Sequence, residues 1–419
     1  MPGELDETGS GLASDVVIVG GGVAGGALAV ALTRRNIRVL MLEKSLEHQD
    51  RVRGEFMPPW GVEEAKKLGV FDVLLGAGGH FTKRAIPYGE DMSAEDAEAR
   101  ALELGKLLPD VEGAMTFGHP QVCQALNVAA VSAGATMLRG VGDLTVSAGR
   151  RPKAAFTHQG RRYEVSPRLI VGADGRGSAT ARQVGADVKF DASHHLLSGL
   201  LVDGVDAWPE QDQSIGVEGD ITFYVFPQGG GRIRLYACYG HDQRGRFSGA
   251  DSTRRFQEAF RLKSLPHAEV LSAARPIGPC HGYPSGDTWI DTPVVPGVVL
   301  IGDAAGHNDP TIGQGLSISL RDTRHVVEAL TSNADWGESI FGAYVEERRE
   351  RMRRLRFVAQ LFSALRVEFT DDARARRRRA LKRMGAEPRL ALPFLATQKG
   401  PFSVPSEAFE QNAWDRLLN

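Results

Sequence analysis

Asp15-Val-Val-Ile-Val-Gly20-Gly-Gly22-Val-Ala-Gly25-Gly-Ala-Leu-Ala-Val30 is the stretch on which the fold turns. Asp15 to Val19 is a short β-branched run, as a buried parallel strand requires. Residues 27–35 are small and apolar and read as a helix. Between them, Gly20, Gly22 and Gly25 stand at G-x-G-x-x-G spacing. Gly20 permits a tight turn, Gly22 lets backbone approach a pyrophosphate, and Gly25 lets helix and strand pack closely. The helix start at Val23 and Ala24 adds N–H donors and a partial positive charge. A second strand, Arg38-Val-Leu-Met-Leu42, ends at Glu43 and Lys44. A carboxylate there can accept hydrogen bonds from ribose hydroxyls and would repel a 2'-phosphate. This β-α-β unit predicts a dinucleotide site.

The chain returns to that arrangement twice. Arg168-Leu-Ile-Val171 runs into Gly172-Ala-Asp174-Gly175-Arg-Gly-Ser178, and Val298-Val-Leu-Ile301 runs into Gly302-Asp303 and then Gly313-Gln-Gly315-Leu316. Asp303, at a strand end, suits a ribityl or ribose hydroxyl. Amides at a helix start near Gly313 to Leu316 suit a developing anion, and reduced flavin carries one near N1. A flavin therefore fits better than a nicotinamide. Asp174 reads equally well as a cap of the following helix.

The expected fold is α/β: a Rossmann-like nucleotide-binding domain over 15–79, 113–190 and 285–330. A mostly antiparallel substrate sheet is inserted at 80–112 and 191–284, and a helical region follows over 331–419. Residues 1–14 read as a flexible lead-in. Helices are expected over 61–75, 93–108 (acidic and exposed) and 121–134, with a strand over 80–90. Thr222–Phe226 and Arg232–Tyr239 flank Pro227-Gln-Gly-Gly-Gly231, a hairpin signal.

Composition narrows the function. Among 419 residues, 50 Lys plus Arg meet 52 Asp plus Glu, giving a net charge of -2. A generic nucleic-acid binder needs a positive surplus, so none is expected. Three cysteines without C-x-x-C spacing favour a reducing, cytoplasmic setting and argue against disulfides or structural zinc. No apolar run approaches 18 residues, so no stable membrane insertion is expected. Glycine is in excess, 49 residues where about 29 would follow from an average usage of roughly 7%. Many of the surplus glycines fall in the three motifs and the hairpin.

These three motifs, in this order and spacing, resemble the FAD-dependent monooxygenases of the aromatic-hydroxylase type, in the para-hydroxybenzoate hydroxylase fold superfamily. Arg53-Gly-Glu55-x-x-Pro58-x-x-Gly61 is similar to a segment of squalene-epoxidase-like enzymes. The resemblance implies that the first motif binds the ADP half of FAD and that Asp303 binds the ribityl chain. It implies that Pro310 to Leu316 line the isoalloxazine, that Arg53 runs beside the flavin, and that Asp174 serves FAD and NAD(P)H. Three positions depart from the pattern: Ala181 with the arginine displaced to Arg182, His119 in place of an arginine, and Ser317 in place of Asn. Flavin-dependent tryptophan halogenases share this fold and carry W-x-W-x-I-P, which is missing here, so halogenation is not expected.

The implied reaction takes NAD(P)H and O2 and inserts one oxygen into a small aromatic or olefinic substrate through a flavin C4a-hydroperoxide. Such chemistry needs neither a protein nucleophile nor a metal, and no spacing for either is visible. Pro310, His307 and Asp309 are the candidate catalytic residues, the last two as bases for a phenol or as loop caps. Phe223, Tyr224 and Phe226 are candidate substrate contacts. No separate NAD(P)H domain is visible, and a partner reductase is an alternative source of electrons. A flavin reductase similar to geranylgeranyl reductases is the rival reading. Residues 348–383 hold 14 basic and 4 acidic side chains. They are read as a solvated helix face, or as a surface for an anionic partner.

Overall fold

The computed structural model describes residues 12–193 and 195–418. Residues 1–11 of the expected lead-in lie outside the described residues, and Leu12 is buried. Val16–Val19 lies inside a six-stranded sheet. The strand order is Val294–Val295, Val298–Leu300, Leu169–Gly172, Val16–Val19, Val39–Glu43, Thr136–Arg139. All ladders are parallel except the Val294–Val295 edge. The strands ending at Val19, Gly172 and Leu300 are therefore neighbours, and their carboxyl ends carry the three glycine motifs to one place. Open parallel sheets bind ligands at that end. The helix Val23–Thr33 packs against His119–Ser132 and Gly315–Ser332. It is buried from Val23 to Leu32, which is why it carries no charge.

The inserted sheet is mainly antiparallel. Its order is Arg275–Pro276, His195–Asp203, Arg232–Gly240, Ile221–Gly229, Asp212–Glu218, Arg84–Ile86, Leu102–Glu103, with His281–Ser285 also on His195–Asp203. Gly229, Gly230 and Gly231 turn the hairpin with φ of 79°, 63° and 72°, a left-handed run that other residues resist.

Several local expectations need correction. The strand over 80–90 is two short strands in different sheets, His80–Thr82 on Ala114–Thr116 and Arg84–Ile86 in the large sheet. The helix over 61–75 is broken at Gly69, φ 77°, into Pro59–Leu68 and Phe71–Gly76. Only Ala94–Ala99 of the exposed acidic helix forms. A three-stranded antiparallel sheet, Gly142–Ser147, Lys153–His158 and Arg161–Val165, was not anticipated.

The largest departure is in the C-terminal helices Gly342–Phe362 and Asp371–Ala386. Their arginines do not form one solvated face. Arg348, Arg351, Arg354 and Arg377 are buried. Arg348 Nε donates to Asp322 Oδ2 at 3.0 Å, and its Nη2 donates to the carbonyls of Gly302 (3.2 Å) and Gly306 (3.0 Å). Arg351 Nη2 donates to Asp322 Oδ1 at 2.6 Å and to Glu347 Oε2 at 2.9 Å. Asp322 Oδ2 also accepts from the Gly302 amide at 2.8 Å. Burial alone would raise the Asp322 carboxyl's pKa, but Arg348 and Arg351 outweigh it and hold the group charged.

Removing one member of such a cluster strands the others. Asp322→Ala is expected to lose about 3–5 kcal/mol of stability. Chemical unfolding checks this, and a loss under about 1 kcal/mol would mean that the cluster behaves like a surface pair.

Candidate active site

One cavity of about 850 Å³ opens where the motif-bearing strand ends, the inserted sheet and the C-terminal helices meet. Gly20, Gly22, Val23, Ala24, Glu43, Arg53, Asp174, Asp303, Pro310, Gly313, Gly315 and Leu316 line it. The glycines divide by task. Gly20 has φ 107°, and a Cβ there would lie 2.4 Å from the Ala173 carbonyl oxygen. Gly25 is off the cavity; its Cβ would fall 2.0 Å from the Gly20 oxygen, so packing alone demands glycine. Gly22 meets nothing described within 4 Å, so its bareness serves the cavity.

The helix start beyond Gly22 has no side-chain cap among the described residues. Its first amides remain available to an anion. Glu43 Oε2 accepts from the Gly21 amide at 2.6 Å and Oε1 from the Ser45 amide at 2.7 Å, which orients the carboxylate beside that start. Lys44 is exposed and off the cavity. Asp174 caps as well as lines: Oδ2 accepts from the Thr180 amide at 2.9 Å, and Oδ1 from the Ser178 hydroxyl at 2.5 Å.

The second loop has the same logic. Asp303 faces Arg176 at 3.4 Å. The helix Gly315–Ser332 also begins without a side-chain cap, because Gln314 accepts from Trp60 Nε1 (2.8 Å) instead. Gly302 sits behind the loop, held by Asp322. Two uncapped helix starts, a ribose-height carboxylate and Asp303 together fit FAD. The first would meet its pyrophosphate and the second the anionic edge of its ring.

His307 and Asp309 do not line the cavity. Burial, then repulsion from Arg176, pushes His307 down to about 4, and its Nδ1 lies 2.8 Å from the Thr288 hydroxyl. Asp309 caps the Pro310–Ile312 turn through the Thr311 amide (3.0 Å) and lies 3.2 Å from buried His195 Nε2. Burial raises its carboxyl, but the hydrogen bond and charge of His195, with Thr311, bring it net below the ordinary value. Of the two roles expected for these residues, loop support is the one their contacts fill. Asp287 accepts from the Asp309 amide at 2.9 Å and from Asn308 Nδ2 at 2.5 Å. Burial, then the Asp309 charge, pushes Asp287 up to about 7.

The far wall is one face of the inserted sheet. Tyr224 and Phe226 line the cavity, with Tyr236 opposite Tyr224 in the ladder. Phe223 takes no part in this wall. It points to the other face, against Val225, Ala237 and Tyr239, because successive strand side chains alternate.

Set into the wall is a polar cluster of which motif reading reached only Glu55. Arg234 Nη2 donates to Glu55 Oε1 and Asp50 Oδ2, both at 2.6 Å, and Tyr236 Oη donates to Glu55 Oε2 at 2.5 Å. Burial raises the Glu55 carboxyl, partly opposed by Arg234 and Tyr236. Glu55 thus turns to Arg234, while Arg53 lines the cavity. Phe362, Leu365, Leu392 and Phe394 close the cavity from the C-terminal helices. The usable sequence signal was the period-2 pairing of Arg234 and Tyr236; the helices had none.

The FAD binding domain family matches residues 13–357. The squalene epoxidase erg1 of Schizosaccharomyces pombe is 38% identical over 78 residues, 18% of this chain and only 17% of that protein. The digeranylgeranylglycerophospholipid reductase 2 of Methanococcoides burtonii is 25% identical over 335 residues, 76% of this chain and 75% of that one. The 3-demethoxyubiquinol 3-hydroxylase of Escherichia coli K12 is 25% identical over 355 residues, 82% and 85% of the two chains. The crystal structure of p-nitrophenol 4-monooxygenase PnpA from Pseudomonas putida superposes with a TM-score of 0.73 at 18% identity, covering 97% of this chain and 98% of that one.

Two outcomes follow from the geometry. Gly22→Val is expected to abolish FAD retention and Asp303→Ala to weaken it at least tenfold. Flavin absorbance after gel filtration reads both, and full occupancy in either variant removes that residue from the cradle. For Asp287, the folded carboxyl binds its proton more tightly than the unfolded one. Its contribution is thus favourable at low pH and is lost as pH rises from about 4 to about 7. Asp287→Asn keeps an acceptor oxygen and should flatten that part of the melting-temperature profile, gaining most over the parent above pH 7. A parallel profile would show that Asp287 titrates normally.

Proposed function

We propose that this chain, which belongs to the FAD binding domain family, is a monooxygenase. It would use NAD(P)H and O2 to hydroxylate or epoxidise a small organic substrate, aromatic or olefinic. That it is an FAD-dependent oxidoreductase rests on the family and its relatives. The oxygen-inserting reading is supported by one observation above others: the cofactor cradle is continuous with a largely apolar chamber walled by the inserted sheet and the C-terminal helices.

FAD, when bound, supplies the redox chemistry that activates oxygen. The chain's own groups do the rest. The uncapped amides of Gly315 and Leu316 would stabilise negative charge on a bound flavin. The Pro310–Ile312 turn, braced by Asp309, sets the floor of the chamber. Tyr224, Phe226, Leu197 and Ile215 line the chamber and exclude water, which limits side reactions with solvent. Tyr236 Oη donates to Glu55 Oε2 where both line the cavity, and this pair would be the route for a substrate proton.

A flavin-dependent reductase is the second reading, favoured by the reductase relative that matches three quarters of this chain. NAD(P)H would dock transiently at the open side of the cavity, or a partner reductase would supply the electrons. The purified yellow protein is expected to consume O2 and NAD(P)H in equal amounts with an oxygenated product when given substrate. Turnover that proceeds at full rate without oxygen would establish the reductase reading instead.

A further inference from the structure

We infer that the C-terminal wall of the cavity is a receptor for the anionic head of an extended apolar ligand, and that Arg377 is its anchor. As a substrate site this rests on the monooxygenase reading; as a binding site it stands by itself.

Arg377, Ala380, Leu381 and Met384 line the cavity at spacings of three, four and seven, one face of the helix Asp371–Ala386. That face spans roughly 10 Å, and Leu392 and Leu395 continue it. Its apolar part suits an alkyl or prenyl body. Its first member does not suit such a body at all. Arg377 is 6% exposed. Its Nε, Nη1 and Nη2 are all buried without a hydrogen bond, which holds for no other arginine among the described residues. Arg348, equally buried, is tied to Asp322 and two carbonyls, so burial does not by itself orphan an arginine in this fold.

The surrounding charges do not satisfy it. Glu90 Oε1 lies 3.8 Å from Arg377 Nη1, beyond hydrogen-bond reach, and 3.7 Å from Arg374 Nε. The other Glu90 oxygen is taken by the Gly219 amide at 2.8 Å. Asp91 faces Arg378 at 3.6 Å. Arg366, on the same cavity, donates to the Ile215 carbonyl at 3.3 Å. Arg374 also pairs with Asp371 at 3.0 Å, so the guanidinium groups of Arg366, Arg374, Arg377 and Arg378 are set against three carboxylates, Glu90, Asp91 and Asp371, and one positive charge is in surplus. A buried guanidinium with five unmet donors is strongly unfavourable. A carboxylate or a phosphate monoester supplies two coplanar oxygens that meet the fork bidentately.

The test uses FAD-loaded protein, its flavin absorbance recorded first so that loss of cofactor is seen separately from loss of ligand. Dodecanoate, dodecyl phosphate and dodecanol are titrated, with tryptophan fluorescence as the readout. At least one of the anions is expected to bind tenfold or more tighter than the alcohol, and the tighter one identifies the head group. In Arg377→Gln that advantage should fall below threefold with dodecanol unchanged. Arg377→Lys should keep part of it, and Arg379→Gln, exposed on the same helix, should keep all of it. Equal binding of dodecanol and both anions by the parent protein overturns the proposal, whether or not the variants fold. So does an anion preference that survives Arg377→Gln. Oxygen uptake is scored separately, so a failed monooxygenase assay leaves these outcomes readable.

Discussion

Asp322 is the group on which the site's geometry hangs. Fully buried, it accepts from the Gly302 amide and from two arginines of the next helix. Its charge is stable only because both arginines are there, and they are buried only because it is. Arg348 extends the arrangement to the carbonyls of Gly302 and Gly306. The loop bearing Asp303 is thereby held from behind on both its donors and its acceptors. Nothing in front of the loop needs to hold it, which leaves its cavity side open to a cofactor.

The parallel sheet was legible from sequence because its signals are local. Each strand is a short β-branched run, each turn carries glycines at a fixed spacing, and each helix follows at once. Gly20 and Gly25 could be assigned tasks in advance because a Cβ at either position meets backbone. The inserted sheet was legible as strands but not as faces. Phe223 and Tyr224 are equally aromatic neighbours, and only the ladder shows which of them turns to the cavity. The double strand at residues 80–86 was missed because two sheets divide a run that looks continuous.

The C-terminal region was the least legible part. A count of 14 basic residues over 36 positions says nothing of partners that lie far away in sequence. Asp322 is 26 residues from Arg348 and 29 from Arg351. Once those partners are placed, the arginines separate into different kinds: some bind the loop, some pair with neighbours such as Glu350, and Arg377 is satisfied by neither. Likewise Glu55 was visible as part of a motif, while Arg234 and Tyr236, which determine its behaviour, are about 180 residues away.

The sheet order has a consequence for how the molecule is made. The strands that meet beneath the cradle begin at Val16, Leu169 and Val298. Such pairings close long loops before any contact rewards them, which makes folding slow. During synthesis the first glycine motif leaves the ribosome roughly 150 residues before the second and roughly 280 before the third. The helix that steadies the last loop emerges later still. The cradle therefore cannot be complete until most of the chain exists, and the apolar strand Val16–Val19 must wait unpaired on one side. A cofactor that binds only the finished cradle would then act as a late thermodynamic trap, drawing the nascent chain out of its open, aggregation-prone intermediates.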